Sequence, residues 1–195
     1  MCVMPCPQGH RRRIRQGNLR RAAGFSLVEL AVTVAVLAII AAIAIPSFER
    51  TINTGRLTSA GNELVSAMQT AREEAIARRA TATVCPSADG TVCDSAVGNT
   101  WLVLLSKNGV DTAMRVVSVP PALSVKVSSN VSSGGNRIMF TPDGFAKAGS
   151  NSSGAVSVCT SNMGSDNAID ISVVSVRISS ARRSAGSGCS APADN

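Results

Sequence analysis

The apolar residues of the chain first form one long run. Residues 27–45 read LVELAVTVAVLAIIAAIAI, nineteen residues broken only by Glu29 and Thr33. A helix that crosses the hydrocarbon core of a bilayer needs about 20 predominantly apolar residues. The sequence therefore predicts a transmembrane helix at this position.

Beyond Pro46, apolar residues recur every three or four positions, which is the spacing of a helix with one buried face. They are Leu57, Ala60, Leu64, Val65, Met68, Ala71, Ala75 and Ile76. Pro46 lacks an amide donor and should kink or loosen the helix locally. We therefore predict one long helix over residues 25–78, with its first half in the membrane and its second half packed on a domain.

After Arg79 the apolar spacing becomes alternating, and clusters of Gly, Ser, Asn, Asp and Pro separate the runs. The predicted strands are Thr81–Cys85, Trp101–Leu105, Met114–Val119, Leu123–Val127, Arg137–Thr141, Ala155–Cys159 and Ala168–Ile178. Residues 128–136 are expected to be a mobile loop, and the end of the chain from Ser179 to be poorly ordered unless tied down. The predicted fold class is α+β, a long N-terminal helix packed on an antiparallel β domain of about seven strands.

Positive charge is concentrated before the apolar run. The formal net charge is +7, yet six of the 19 Lys and Arg residues stand before residue 25, where there is no acidic residue. The rest of the chain has 13 basic and 12 acidic residues, so a general nucleic-acid-binding surface is not indicated. Basic residues before a transmembrane helix are expected to stay in the cytoplasm, which sends the residues after Pro46 across the membrane.

Histidine is confined to the same basic segment, since His10 is the only one in the chain. The remaining residues have no imidazole that could act as a general base or as a metal ligand. Ser and Asp residues are plentiful, but they stand where turns need them. The sequence therefore predicts no catalytic site, no metal site and no cofactor.

Cysteine is the other residue type that could form disulfides or bind a metal. Cys2 and Cys6 lie in the basic segment, and the remaining four are Cys85, Cys93, Cys159 and Cys189. Four cysteines allow three pairings, and an extracytoplasmic compartment permits disulfides. We favour one disulfide between the first two, around a turn, and a second between the last two, tying the tail to a strand. Zinc is disfavoured because the spacings differ from those of zinc fingers.

A short motif precedes the apolar run and reads Gly24-Phe25-Ser26-Leu27-Val28-Glu29. It resembles the class III signal of type IV pilins and type II secretion pseudopilins. The resemblance implies that a prepilin peptidase cuts after Gly24 and that the new amino terminus, Phe25, is methylated. Glu29 would be the fifth residue of the mature chain, with a role in assembly. Met1 or Met4 would start the leader.

Glu29 also has a physical interpretation of its own. A carboxylate near the centre of a spanning helix costs about 2.5–3.5 kcal/mol and is expected to find a partner. We expect that partner to be the positive amino terminus of a neighbouring subunit. Alternatively, the carboxylate lies at the membrane interface, where the helix dipole favours a negative charge.

The later part of the chain extends the resemblance. Residues 56–79 read RLTSAGNELVSAMQTAREEAIARR, and TVCPSADG, WLVLL, IMFTPDG and VSVC follow. This pattern resembles minor pilins of the FimT/FimU kind and the GspH pseudopilin domain. DNA-binding members of the FimT type end in Gly-Arg-x-Arg, whereas Ser-Val-Arg-Ile occupies residues 175–178 here. A FimU-like subunit of a tip complex is therefore favoured over a DNA receptor.

Three functions remain open. The favoured one is a minor pilin that helps initiate a type IV pilus and sits at or near its tip, and the second is a type II secretion pseudopilin. The third is DNA binding through Arg177, Arg182 and Arg183, for which a solvated tail is the alternative. Expected partners are other pilins or pseudopilins, the prepilin peptidase and the inner membrane. The predicted segments are a leader (1–24), a transmembrane or fibre-core helix (25–46), its amphipathic continuation (47–79), a β domain (80–178) and a disulfide-anchored tail (179–195).

Overall fold

The computed structural model describes residues 24–194, which divide into two compact units after Ala42. The first unit holds the start of helix α1, whose full extent is Leu27–Arg78. Its apolar side chains are exposed, and an 18-residue window of α1 has a mean hydropathy of 2.7. This part of α1 is long and apolar enough to cross a membrane.

The second unit begins at Ile43 and contains the remainder of α1 and the β domain. Its described strands number nine: β1 Thr81–Pro86, β2 Thr100–Lys107, β3 Val110–Ser118, β4 Ser124–Val127, β5 Ile138–Phe140, β6 Ala146–Lys147, β7 Ser153–Cys159, β8 Ala168–Val174 and β9 Arg177–Arg183. A short helix, α2 (Ser129–Ser133), lies between β4 and β5. The strands form two antiparallel sheets, sheet A in the order β3-β2-β1-β5-β6 and sheet B in the order β4-β7-β8-β9. The α+β class is therefore confirmed.

One apolar core joins α1 to both sheets. The fully covered positions on α1 are Leu57, Ala60, Leu64, Ala67, Met68, Ala71 and Ala75. They share a core with Trp101 and Phe140 of sheet A and Ile171 of sheet B. Helical periodicity identified this face because burial of one stripe every three or four residues is what packs a helix on a sheet. Ile76 is the exception, since it is 45% exposed in the last turns of α1.

The predicted number of strands was too low for two reasons. The run Ala168–Ile178 is two strands, β8 and β9, joined by a tight turn at Ser175 and Val176. Ser175 adopts a positive φ of 55° without being glycine, so no sequence signal marks the turn. β6 has only two residues, which is too short to show alternation.

Two segments expected to lack regular structure have it. Residues 128–136 contain α2, held by the buried side chain of Val131. β9 runs to Arg183, so the β domain continues past the predicted boundary at residue 178.

Residues 184–194, called the C-terminal strap below, return across sheet B. Ala185 and Cys189 of the strap are buried against Cys159 and Ala168 of sheet B. The Asp194 carboxylate accepts hydrogen bonds from the Asn130 N–H at 3.1 Å. The strap is thus attached along its length, which a composition rich in Ser, Gly and Ala did not predict.

Two disulfides lie within the described residues, with the pairing that was favoured from the sequence. Cys85 and Cys93 close a short loop after β1, with Cα atoms 5.5 Å apart. Cys159 at the end of β7 pairs with Cys189 of the C-terminal strap, with Cα atoms 5.9 Å apart. Both distances lie within the usual range for disulfides.

Candidate processing and assembly site

The predicted processing site lies at the start of the described residues. The leader up to residue 23, including Cys2, Cys6 and His10, lies outside them. Gly24 and Phe25 are not helical, and Phe25 is 75% exposed. A Cβ placed on Gly24 would meet no atom within 4 Å. The Gly24–Phe25 peptide bond is therefore in an open, non-helical stretch directly before α1.

Helix α1 begins with a side-chain cap. The Ser26 Oγ accepts a hydrogen bond from the Glu29 N–H at 3.3 Å, and the Ser26 carbonyl accepts one from the Leu30 N–H at 3.1 Å. Ser26 therefore fills the N-cap position, where a hydroxyl satisfies an amide that the helix leaves unpaired. Sequence reasoning missed this role, although Ser-x-x-Glu is the capping-box signature.

The cap fixes where Glu29 stands. Its side chain is exposed in the first turn of α1, at the positive end of the helix dipole. The described residues contain three ion pairs, Arg78–Glu74, Arg115–Glu63 and Arg183–Asp170, so Glu29 has no cationic partner among them. This carboxylate, on an otherwise apolar stretch of helix, is available to a cation from another molecule.

The three C-terminal arginines do not form one basic site. Arg183 Nε lies 2.6 Å from Asp170 Oδ2, and Arg183 Nη1 donates to the Ser190 Oγ at 2.9 Å. Arg182 Nη2 donates to the Thr58 Oγ1 of α1 at 2.6 Å. Because side chains alternate along a strand, Arg182 projects from the opposite face of sheet B to Arg177 and Arg183. Arg182 and Arg183, which the sequence offered as neighbouring DNA contacts, therefore lie on opposite faces of a strand.

The loop closed by Cys85 and Cys93 contains an acidic group with a defined role. Hydrogen bonds from the Thr91 hydroxyl first, then from the Thr91 and Val92 amides, lower the pKa of Asp89 to about 2. Asp89 Oδ2 accepts the Thr91 Oγ1 hydrogen at 2.7 Å, and Asp89 Oδ1 accepts the Thr91 N–H at 2.8 Å. These donors occupy the carboxylate, which therefore shapes the loop and is not a free ligand.

Concavities in the second unit are surface grooves with mixed linings. One of about 310 Å³ is bordered by Glu49, Ile52, Asn53, Arg56 and Asn162. Another of about 250 Å³ is bordered by Gln69, Arg72, Glu73, Ile76 and Ile178. Within residues 24–194, no three His, Cys, Asp or Glu side chains are grouped so that they could hold a metal ion.

Comparison with protein families gives two matches. The family model described as type II transport protein GspH matches residues 60–179, and the prokaryotic N-terminal methylation motif matches residues 19–45. The first match covers helix α1 from Ala60 together with strands β1 to β8, and the second covers the processing site. No curated protein matches the chain.

Two crystal structures of the type IV minor pilin FimU of Pseudomonas aeruginosa (strain PAO1) are similar to this chain. Each is 22% identical, with TM-scores of 0.49 and 0.48. The similarity covers 65% and 64% of this chain and 88% and 92% of the FimU chains. Because the GspH model matches more than half of the 195 residues, the chain belongs to the GspH family of pilin and pseudopilin proteins.

Proposed function

We propose that the chain is a minor pilin, a structural subunit that helps initiate a type IV pilus and sits at or near its tip. The observation that supports this most is a conjunction: an exposed Gly24–Phe25 bond, a capped apolar helix bearing Glu29, and a GspH-type β domain in one chain. Each part has a use in a fibre, and none of them requires a catalytic group.

The proposed maturation begins in the inner membrane. A prepilin peptidase cuts between Gly24 and Phe25, which removes the leader with its six arginines. Phe25 is then methylated, and the new terminus keeps a positive charge. Residues 25–46 stay in the membrane, and the β domain lies in the periplasm.

Glu29 acts in the next step. When apolar helices pack in a fibre core, an unpaired carboxylate is costly, whereas one paired with a cation is tolerated. We propose that Glu29 pairs with the amino terminus of Phe25 in a neighbouring subunit. The pair selects the position of the incoming subunit along the fibre axis.

A type II secretion pseudopilin is the second candidate, and the description of the matching family as a type II transport protein favours it. The mechanics would be the same in a short periplasmic fibre. Co-purification of the full-length membrane protein with tagged minor pilins, and separately with tagged secretion pseudopilins, distinguishes the two. We expect recovery with the minor pilins, and exclusive recovery with the pseudopilins would replace the proposal by its alternative.

The contacts of Arg182 and Arg183 argue against DNA binding. Both guanidinium groups bond within the chain, and Arg177 is separated from Arg183 along the strand by about 20 Å at the usual rise per residue. Nucleic-acid grooves combine several free cations with stacked aromatic side chains. Arg182→Ala should leave fibre assembly normal, and loss of DNA binding in that variant would restore the DNA-receptor hypothesis.

A further inference from the structure

Strand β9 leaves one edge of sheet B open. β9 pairs with β8 over residues 177–183, and among the described residues none of its backbone groups bonds outside that ladder. Alternate residues of such a strand direct their N–H and C=O groups away from the sheet. The centre of β9, Ile178 to Ala181, is uncharged, and the charges of the strand, Arg177, Arg182 and Arg183, stand at its ends.

The open edge borders a groove formed with α1. Ile178 of β9 lines the 250 Å³ concavity together with Gln69, Arg72, Glu73 and Ile76 of α1. Arg182, two residues beyond Ser180, bonds to Thr58 of α1, so even-numbered residues of β9 face this helix. A strand added beside β9 would direct every second side chain into the same groove.

Large apolar side chains are exposed near the end of the groove that contains Ile76. Ile76 is 45% exposed, Phe145 is 51% exposed and Val176 is 42% exposed. Ile76 contacts the β5–β6 turn, because a Cβ on Gly144 would lie 2.8 Å from its Cδ1. The Ala146 N–H donates to the Ser175 carbonyl at 2.6 Å, which joins that turn to the turn before β9. The three side chains therefore lie on neighbouring segments of the surface.

The other long edge strand is less suited to pairing. β3 carries Asp111 and Arg115 within its length, and its register with β2 shifts between Val103 and Leu104. Charges and such irregularities discourage a further strand from adding to an edge. Arg115 is also bonded to Glu63 of α1.

Charge selects the kind of strand that fits β9. Two copies of β9 paired antiparallel about Ser180 would set Arg177 opposite Arg183 at both ends, and like charges directly opposite are destabilising. Arg72, which forms no ion pair among the described residues, adds a further cation beside the groove. A second copy is therefore disfavoured, and a strand with carboxylates at its ends is favoured.

We propose that the β9 edge and its groove bind an extended segment of another fibre subunit, one with acidic ends and small or β-branched apolar residues between them. The segment adds to sheet B as a further strand, which is a common mode of peptide recognition. One apolar side chain of the segment fills the space between Ile76 and Ile178. This proposal rests on the proposed function only in calling the partner a fibre subunit.

The test uses the full-length chain in detergent micelles and a fluorescein-labelled peptide, Glu-Val-Thr-Ile-Thr-Val-Glu, with blocked ends. Fluorescence anisotropy should show saturable binding. Ile76→Ser should weaken it about tenfold, since roughly half of an isoleucine side chain is newly covered. Val110→Ser, at a valine on the β3 edge that is 65% exposed, should leave the Kd unchanged and serves as the control.

Three further peptides test strand addition and the preference for acidic ends. Two peptides are N-methylated, one at the odd-numbered and one at the even-numbered amides. Only one of these two patterns should abolish binding, because it removes the N–H donors that face β9. Lysine in place of both glutamates should weaken binding about fivefold at low salt, an effect expected of several exposed charge pairs. Arg177→Glu should reverse that preference.

Equal binding of both methylated peptides, an equal effect of Val110→Ser, or no saturable binding overturns the proposal. Self-association of the chain that Ile76→Ser abolishes would also overturn it, in favour of a second copy. If the chain binds the peptide but is never incorporated into a fibre, the proposed binding surface stands. The proposed function is then contradicted instead.

Discussion

Arg183 on β9 and Asp170 on β8 form an ion pair whose Nε–Oδ2 distance is 2.6 Å, although they are not direct partners in the strand register. The side chains are 28% and 14% exposed, and the Ser157 hydroxyl donates to the same carboxylate at 2.6 Å. Arg183 also donates to the Ser190 carbonyl of the C-terminal strap at 3.0 Å. One guanidinium group thus joins β8, β9 and the strap.

Removal of that group should destabilise the β domain. Arg183→Ala leaves the Asp170 carboxylate partly buried without its cation, and we expect the free energy of unfolding to fall by about 2 kcal/mol. Arg177→Ala, at an exposed arginine on the same strand, should change it by less than about 0.5 kcal/mol. Urea denaturation of the three proteins measures both values, and equal stability of the two variants would contradict a structural role for the pair.

The amino terminus of the mature protein should be Phe25. The Gly24–Phe25 bond is non-helical and precedes a capped helix, so cleavage there leaves α1 intact. Mass spectrometry of the membrane form should find this terminus, with or without a methyl group. An intact leader, or a terminus after Ala42 or Ala44, would show that the processing prediction is wrong.

Glu29→Ala should impair fibre assembly without unfolding the β domain, because Glu29 lies in the first unit and is not part of the apolar core of the second. Glu49→Ala is the matched control, since Glu49 is also an exposed glutamate of α1. Incorporation into purified fibres and thermal melting of the full-length proteins give the two measurements. Normal incorporation of Glu29→Ala would refute the proposed pairing with a neighbouring amino terminus.

The two disulfides should differ in their contribution to stability. Cys159 and Cys189 are 30 residues apart in sequence, and Cys85 and Cys93 are 8 apart. Chain entropy alone gives about 3.7 kcal/mol for the longer loop and about 2.6 kcal/mol for the shorter one. Paired Cys→Ser replacements, compared by chemical denaturation under oxidising conditions, should follow this order. A free thiol at Cys159 in the native protein would contradict this prediction, because the Cys159–Cys189 disulfide would then be absent.

Asp89 should stabilise the loop closed by Cys85 and Cys93 except at strongly acidic pH. Its folded pKa of about 2 lies below the ordinary value of 3.8, chiefly because the Thr91 hydroxyl donates to the carboxylate. The stabilisation is therefore fully present above about pH 4 and is lost as the pH falls towards 2. NMR titration of the Asp89 carboxyl carbon should give a midpoint near 2, which Thr91→Ala should raise. A midpoint near 3.8 in the unmodified protein would disprove the loop interaction.

Features that depend on local spacing could be predicted from the sequence. The buried face of α1 repeats every three or four residues, and the centres of β1 and β2 are continuous apolar runs. Ile76 fits the same helical period, yet it is 45% exposed, whereas Ala75 beside it is fully buried.

Features that depend on long-range register could not be predicted. Arg183 pairs with Asp170 only because a turn without glycine or proline, at Ser175 and Val176, folds β9 back on β8. Arg182 meets Thr58, 124 residues earlier in the chain, through packing of sheet B on α1. If the end of the chain were a solvated tail, Arg177, Arg182 and Arg183 would have no partners. In the structure Arg182 and Arg183 are both bonded.

The bonds of Ser175 have a consequence for the cooperativity of unfolding. Its carbonyl accepts from Ala146 of sheet A, and its N–H donates to the Ser152 carbonyl beside sheet B. The β8–β9 turn of sheet B is therefore hydrogen-bonded to β6 at the edge of sheet A. The two sheets cannot separate without breaking these bonds. From Ile43 onwards the protein should unfold in a single two-state transition, so losses at Arg183 and at Cys189 are measured on one common scale of free energy.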